Sequence, residues 1–462
     1  MGRGIECQRR APRRYLMEFT STRNPASRMG FSAALRQGMA ADGGLLVPVD
    51  APHWKSGSFV APAFSADTGA ALTAAELART AGTILQPFVV GDALADAATG
   101  LCDDAFSFPA PLKPVGPSGQ LHVLELFHGP TAAFKDFGAR FLAACFQRLQ
   151  KPRDATLKIL VATSGDTGGA VAAAFHCRPG IEVAVLYPRA LVSPTQQQQL
   201  TCWGDNVRAF EVAGTFDDCQ RLVKMAFGDA DLTSRFQLSS ANSINLGRLV
   251  PQAVYYAASS LSVWQATGRK PSYIIPAGNL GNSLACFWAR SWGLPIGEIV
   301  LAFNDNRTVA DFLATGQWQP RASIATLASA MDVGDPSNME RLRALYPEHA
   351  QLHAAFSADN VADEAIRQRI VKDFAAYGEI WCPHTATAAE VYARLPASRR
   401  QAGPWILVAT AHPAKFRETM EPLLGRKLSL PPALAALFDR PSVKESMANN
   451  IGALRAALQV AR

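Results

Sequence analysis

The strongest constraint on the fold is an alternation. Short apolar runs of strand length trade places with helical stretches. Leu157–Ala162 precedes a helix Gly169–Phe175, Ile181–Tyr187 precedes Gln196–Leu200, and Val207–Val212 precedes Phe216–Phe227. Further on, Ser272–Ile275 precedes Ser283–Trp292, Glu298–Phe303 follows, and Trp405–Ala409 is a last buried run. Continuously apolar strands suit a sheet covered on both faces, and intervening helices supply the crossovers of a parallel sheet. The expected class is therefore α/β, with ligands beyond the carboxyl ends of the strands. Helical periodicity also marks Thr73–Gln86, Leu246–Trp264, Pro383–Leu395 and most of Thr308–Arg369. Residues 50–66 and the proline-rich link Phe108–Pro117 read as loop.

One lysine sits at such a strand-to-helix junction. His122–Phe127 alternates like a strand, Gly129-Pro130-Thr131 is a turn, and a helical pattern runs from Asp136 to Leu149. Lys135 lies between Phe134 and Phe137. Apolar walls strip water from an amine, lower its pKa and make it nucleophilic. An isolated lysine is ordinarily a surface residue, so the neighbouring loops decide its reading.

Two loops lie in equivalent places. Gly278-Asn279-Leu280-Gly281-Asn282 follows a strand and opens a helix; its glycines let amides turn toward an anion at a helix N-terminus. It is neither a Walker loop nor G-x-G-x-x-G. Ser164-Gly165-Asp166-Thr167-Gly168 gathers hydroxyls and amides at another helix start. There, helix capping by Ser164, Asp166 or Thr167 competes with anion binding, and the Asp166 carboxylate would repel an anion unless it faces elsewhere. A desolvated lysine and two anion-friendly loops suggest a phosphate-bearing cofactor that bonds to an amine; pyridoxal phosphate fits.

Composition removes other classes. Charged residues make up 18% and hydrophobic ones 48%, as in a globular protein. Five arginines and Glu6 in residues 1–16 hold four of the seven net positive charges, so the body gives little reason to expect nucleic acid. No apolar run approaches the roughly 18 residues of a membrane span. The eight cysteines form no C-x-x-C pair, so neither zinc cluster nor disulfide framework is expected, and free thiols suit a cytoplasmic protein. Residues 1–16 read as a disordered, dispensable extension, with Met17 an alternative start.

The chain resembles the threonine synthase family, pyridoxal-phosphate enzymes of the tryptophan-synthase-β fold group. The stretches that carry the resemblance are Ser21-Thr22-Arg23, Asp42-Gly43-Gly44-Leu45, Leu126–Gly138, Ser164–Gly168, Asn242-Ser243-Ile244-Asn245, Gly278–Asn282, Pro383-His384-Thr385-Ala386 and Thr410–Phe416. They stand in family order between residues 17 and 416. Ala132 and Leu280 replace a usual Leu and Phe, and Leu246-Gly247 replaces Trp-Ala.

The resemblance implies a two-lobed fold type II enzyme with parallel or mixed sheets, flanking helices, an N-terminal segment and a C-terminal helical cap. Implied limits are 17–115 for the segment, 116–240 for a smaller lobe with Lys135, 241–430 for a larger lobe with Thr410, and 431–462 for the cap. Lys135 would carry pyridoxal 5'-phosphate and act as the catalytic base. Gly278, Asn279, Leu280, Gly281 and Asn282 would hold the cofactor's phosphate, and Thr410 would face its pyridine nitrogen. Thr131, Ser164, Asp166, Thr167, Asn242 and Arg248 would meet substrate, with Lys224 behind them. No metal is implied, and His128, His384 and His412 are expected in hydrogen-bonded packing roles. The implied reaction takes O-phospho-L-homoserine and water to L-threonine and phosphate, in a monomer or homodimer. The rivals are a phospho-lyase giving 2-oxobutyrate from the same substrate and a non-catalytic cofactor-binding protein.

Overall fold

The computed structural model describes residues 17–151 and 154–459, so the expected extension 1–16 lies outside the described residues. Thirteen strands occur among them. In chain order they are β1 (Phe19–Ser21), β2 (Leu46–Pro48), β3 (Leu112–Pro114), β4 (Leu121–Glu125), β5 (Leu157–Ala162), β6 (Ile181–Pro188), β7 (Val207–Val212), β8 (Gln237–Ser240), β9 (Ser272–Pro276), β10 (Ile299–Phe303), β11 (Ser357–Asn360), β12 (Trp405–Ala409) and β13 (Glu445–Met447). They form a β1–β2 ribbon, a six-stranded sheet in the order β11-β10-β9-β12-β4-β3, and a five-stranded sheet in the order β13-β7-β6-β5-β8.

The five-stranded sheet is parallel throughout; in the six-stranded one only the β3–β4 pair is antiparallel. The apolar runs that announced these strands are buried on both faces: every residue of β5, β10 and β12 is buried. Helices cover them, as expected for α/β.

Three expectations need correction. β4, placed with the smaller lobe by the limit at 116, belongs to the six-stranded sheet, where His122 stands opposite Ile406 of β12. Strand pairing across the chain, rather than proximity in sequence, decides its sheet. The tail after 431 is more than a helical cap: β13 extends the five-stranded sheet beside β7, and Met447, Leu454 and Leu458 bury into that sheet's core. The continuous helix expected over Leu246–Trp264 starts instead as two 3-10 turns, Leu246–Arg248 and Val250–Gln252, before the helix Ala253–Thr267. Pro251 has no N–H to give, and the Asn245 side chain accepts from the Gly247 amide, so the first turns tighten.

The N-terminal motifs serve as a clasp. Ser21 Oγ donates to Asp42 Oδ1 at 2.8 Å, and Arg23 pairs with Glu340 at 2.9 Å. Next to Glu340, the buried Arg341 donates to the carbonyls of Leu46 and Ile244 and to Asn338 Oδ1; Asn338 in turn donates to the carbonyl of Asn279 at 2.9 Å. The clasp thus props a loop far away in sequence.

Candidate active site

Strand ends from both sheets line one cavity of about 550 Å³. β4 leads to Lys135, β5 to Ser164–Thr167, β8 to Asn242, β9 to Gly278–Asn282 and β12 to Thr410, and all of these residues line it except Gly165.

Lys135 begins the helix Lys135–Leu149. Its loop is fixed because the Phe134 amide donates to the Thr410 carbonyl at 2.9 Å and the His412 amide to the Ala132 carbonyl at 3.0 Å. The helix seats closely at Gly138, where a Cβ would collide with the backbone of Arg248. The Lys135 side chain is half-buried and lines the cavity. Burial lowers its pKa to about 8; Asp166 pulls the other way, and the cations Lys415 and Arg248 reinforce the drop.

The loop Gly278–Asn282 is built from amides and neutral side chains. Leu284 is the first amide taken up inside its helix, donating to the Leu280 carbonyl at 2.8 Å. The amides ahead of it are those that a helix start leaves unpaired. Leu280 adopts a left-handed φ of 59°, and a Cβ on Gly278 would come within 2.8 Å of Met331 Cα. Asn282 is held rigidly: its Oδ1 accepts from Tyr255 at 2.6 Å and Tyr256 at 2.9 Å, while its buried Nδ2 has no protein partner. Asn279 Oδ1 is likewise unpartnered, although its Nδ2 donates to Ser243 Oγ at 2.8 Å. The unpartnered donor Asn282 Nδ2 beside free amides is what a cofactor's phosphate would accept from, so the residues fit such a group.

The second loop is organised differently. None of Ser164, Asp166 and Thr167 caps the helix Asp166–Phe175. Thr163 shapes the turn instead, its hydroxyl accepting from the Gly165 and Gly168 amides at 2.9 Å each. Gly165 has φ 135°, and a Cβ there would run into the Gln196 amide. Ser164 and Thr167 are left on the cavity wall. Asp166 is buried and paired: Lys415 Nζ stands 2.8 Å from its Oδ1, and Gln196 Nε2 donates to it at 3.4 Å. Burial alone would push this carboxyl up, but Lys415, Lys135 and His384 outweigh it and hold it ionised, well below the usual carboxylate range.

Arg248 is buried on the cavity wall, its Nη1 donating to the Ala241 carbonyl and its Nε unpartnered. Burial lowers its pKa to about 10, against the pull of Asp136. Asn242 donates to the Ala162 carbonyl at 2.9 Å. Lys224 lines the cavity from the helix Phe216–Phe227, beside Gln220, Arg221 and Met225; Arg321, Ser323 and Asp332 face it from the other sheet's connections.

Thr131 is not with the others. It is fully buried and outside the cavity lining, its amide and hydroxyl both donating to Asp136, at 2.8 and 2.6 Å. Asp136 draws the threonine inward, so the expected substrate contact is replaced by a brace beneath Lys135. His384 makes a hydrogen bond of the kind expected, its Nε2 accepting from the Ala330 amide at 3.0 Å, and it also lines the cavity. Burial pushes its pKa down to about 4, with Asp166 opposing and Lys135 and Lys415 assisting. His412 Nδ1 accepts from the Ala414 amide at 3.1 Å, and His128 pairs with Glu125 at 2.7 Å. Among the described residues one group of metal-type donors occurs, His176, Cys177 and Asp205, and it lies at the surface outside the cavity.

Lys415 and Gln196 escaped sequence reasoning. Lys415 offered a signal, a lysine between Ala414 and Phe416 directly after a buried strand. Gln196 offered none beyond its four-glutamine run.

Comparisons with known proteins agree along the chain. The family model Pyridoxal-phosphate dependent enzyme matches residues 111–410, Threonine synthase N terminus matches 18–106, and Threonine synthase, C-terminal matches 385–458. The chain is 36% identical over 439 residues to a threonine synthase of Serratia marcescens, covering 95% of this chain and 98% of that one. It is 36% identical over 442 residues to the threonine synthase of Escherichia coli (strain K12), with the same coverage. The crystal structure of threonine synthase from Escherichia coli superposes with a TM-score of 0.84 at 35% identity, covering 96% of this chain and 99% of that one. A pyridoxal-phosphate-bound threonine synthase from Brucella melitensis superposes with a TM-score of 0.84 at 32% identity, over 96% and 98%.

Proposed function

The chain belongs to the threonine synthase family of pyridoxal-phosphate-dependent enzymes, and from that premise we propose that it converts O-phospho-L-homoserine and water to L-threonine and phosphate. The observation that carries the assignment of parts is the opposition of Lys135, an amine with a lowered pKa, to a cradle of free amides and the unpartnered Asn282 Nδ2 at Gly278–Asn282.

Gly278–Asn282 would hold the cofactor's phosphate with backbone amides, and Asn282 Nδ2 would add a donor. Lys135 would carry the cofactor through its amine. Thr410 would offer the cofactor's ring a neutral hydroxyl, which does not favour a protonated ring nitrogen as a carboxylate would. When bound, the pyridoxal group supplies an electron sink for the negative charge that develops on substrate carbon. Lys135, as a mobile base, would take a proton from Cα and then one from Cβ, and would return protons to Cγ and Cα. Ser164 and Thr167 orient the substrate, and Arg248 with Asn242 stabilises the phosphate leaving from Cγ, with Lys224 behind them at the cavity wall. Water then adds at Cβ. The seven free cysteines among the described residues support a reducing cytoplasmic setting.

The test is product accounting. Purified protein loaded with pyridoxal phosphate is given O-phosphohomoserine, and phosphate, threonine and 2-oxobutyrate are quantified together. The reading expects threonine equal to phosphate. Phosphate matched by 2-oxobutyrate assigns the phospho-lyase instead, and no phosphate from loaded protein overturns both.

A further inference from the structure

Lys415 has a side chain with no exposure at all, yet its Nζ is paired with a carboxylate inside the fold. It stands in the turn Pro413–Phe416, immediately after the strand end that presents Thr410, and it is absent from the cavity's lining. Its ammonium has two partners, which join the two halves of the site. Asp166 Oδ1 lies 2.8 Å away at the start of one helix, and the Thr131 carbonyl accepts at 2.9 Å from the loop that leads into Lys135. That carbonyl also accepts from Gln199 Nε2 at 2.9 Å, and Thr131 itself is fastened to Asp136.

We propose that Lys415 is a positioning residue: from behind the cavity floor it neutralises Asp166 and fixes the Thr131 loop, so that Lys135 faces a carboxylate whose charge is already matched. The role rests on the proposed use of Lys135 as the working amine. It also answers a difficulty plain in the sequence, a carboxylate in a loop meant to receive an anionic substrate. A buried carboxylate without a partner would repel such a substrate and would hold Lys135 as an ammonium.

The groups facing Lys135 are Asp166 from the helix after β5, Lys415 from the turn after β12, Arg248 from the turn before the helix Ala253–Thr267, and His384. Asp166 faces Lys415, Lys135 and also His384 from the helix Pro383–Arg394. Lys415 is the one of these cations in contact with the Asp166 carboxylate. Its removal therefore takes away a like charge from Lys135 and frees an opposite one, and both changes favour the protonated amine.

The experiment measures the reactivity of Lys135 toward a brief pulse of acetic anhydride across a pH series, in the full chain freed of cofactor, with the modified peptide quantified by mass spectrometry. Wild-type Lys135 should be half-reactive near its pKa of about 8. Lys415→Met should raise that midpoint by roughly one pH unit or more. Lys415→Arg should leave it in place, Asp166→Asn should lower it, and Asp166→Asn with Lys415→Met should return it toward wild type. In the loaded enzyme, the acid limb of kcat/KM for Lys415→Met should move up with it. An unchanged midpoint in folded Lys415→Met overturns the proposal. Where that variant does not fold, Asp166→Asn must lie below the double variant, and equal midpoints overturn it. Because labelling uses neither substrate nor turnover, a failure to form threonine would leave this result standing, and the converse holds as well.

Discussion

The two strand-to-helix loops facing the cavity occupy equivalent places on their sheets and are built on opposite principles. Gly278–Asn282 holds no charge; its tools are amides, a left-handed Leu280 and an asparagine clamped by two tyrosines. Ser164–Gly168 is built around an ionised carboxylate, and the ammonium in contact with it is Lys415, reaching in from beyond β12. The first suits a permanently bound phosphate, whose charge the amides and helix start stabilise. In the proposed reading the second receives a substrate that must enter and leave, with the Ser164 and Thr167 hydroxyls on the wall and the buried charge balanced. Equivalent position in an α/β sheet thus fixes where a ligand goes, while charge bookkeeping within the loop decides which ligand.

The largest effect that sharpens this contrast is expected at the residue both loops face. Lys135→Ala should lower threonine formation at least about 10³-fold, within the range general acid–base groups contribute, and abolish the covalent cofactor absorbance. Thermal unfolding of the cofactor-free chain should change little. Retained turnover would remove Lys135 from the centre of the account.

Lys415→Met should cost about 3–5 kcal/mol in denaturant unfolding, the usual penalty for stranding one member of a buried ion pair. Replacing Asp166 by Asn in the same chain should recover most of it. A neutral cost for the single variant would mean that Asp166 has other compensation, and the contrast between the loops would weaken.

His384 ties the loops together, since it accepts from Ala330, beside the Met331 that Gly278 packs against, and also feels Asp166. Its folded pKa of about 4 lies below the ordinary 6.5. Between those values the unfolded chain binds the extra proton, so stability falls as pH drops through that window and the loss is complete below about 4. The loss should reach up to about 3 kcal/mol, and His384→Gln should remove that part of the slope. Equal slopes in wild type and variant, by denaturation at a series of pH values, would break the link.

The smallest effects separate the loops most cleanly. Gly278→Ala places a Cβ 2.8 Å from Met331 Cα and should weaken cofactor binding by about 1–3 kcal/mol, with KM for substrate nearly unchanged once the site is loaded. Ser164→Ala should do the reverse, raising KM roughly tenfold for one lost hydrogen bond and leaving cofactor affinity alone. Equilibrium cofactor titration beside steady-state kinetics distinguishes these patterns, and a crossed result would exchange the loops' roles.

Local chemistry made much of this legible. Apolar runs fixed the buried strands because a doubly covered strand has no polar face to confuse its period. Glycines marked both loops because close backbone approach allows nothing larger. Lys135 stood out because its neighbours are aromatic. What the sequence concealed depends on partners brought together by the fold: Asp166 with Lys415, Thr131 turned inward to Asp136, Arg341 bracing Asn338 and the loop behind it, and β13 returning to β7. Each is a pairing across the chain or a side-chain direction, and neither leaves a period or spacing to read.

The most direct test of the division between the loops is a crystal structure of the protein loaded with pyridoxal phosphate and a phosphonate analogue of O-phosphohomoserine. The account predicts the cofactor's phosphate on the amides of Gly278–Asn282, and the analogue against Ser164 and Thr167 with its phosphonate toward Arg248. An analogue whose phosphonate occupies Gly278–Asn282, with the cofactor's phosphate on the Ser164–Gly168 loop, would contradict it.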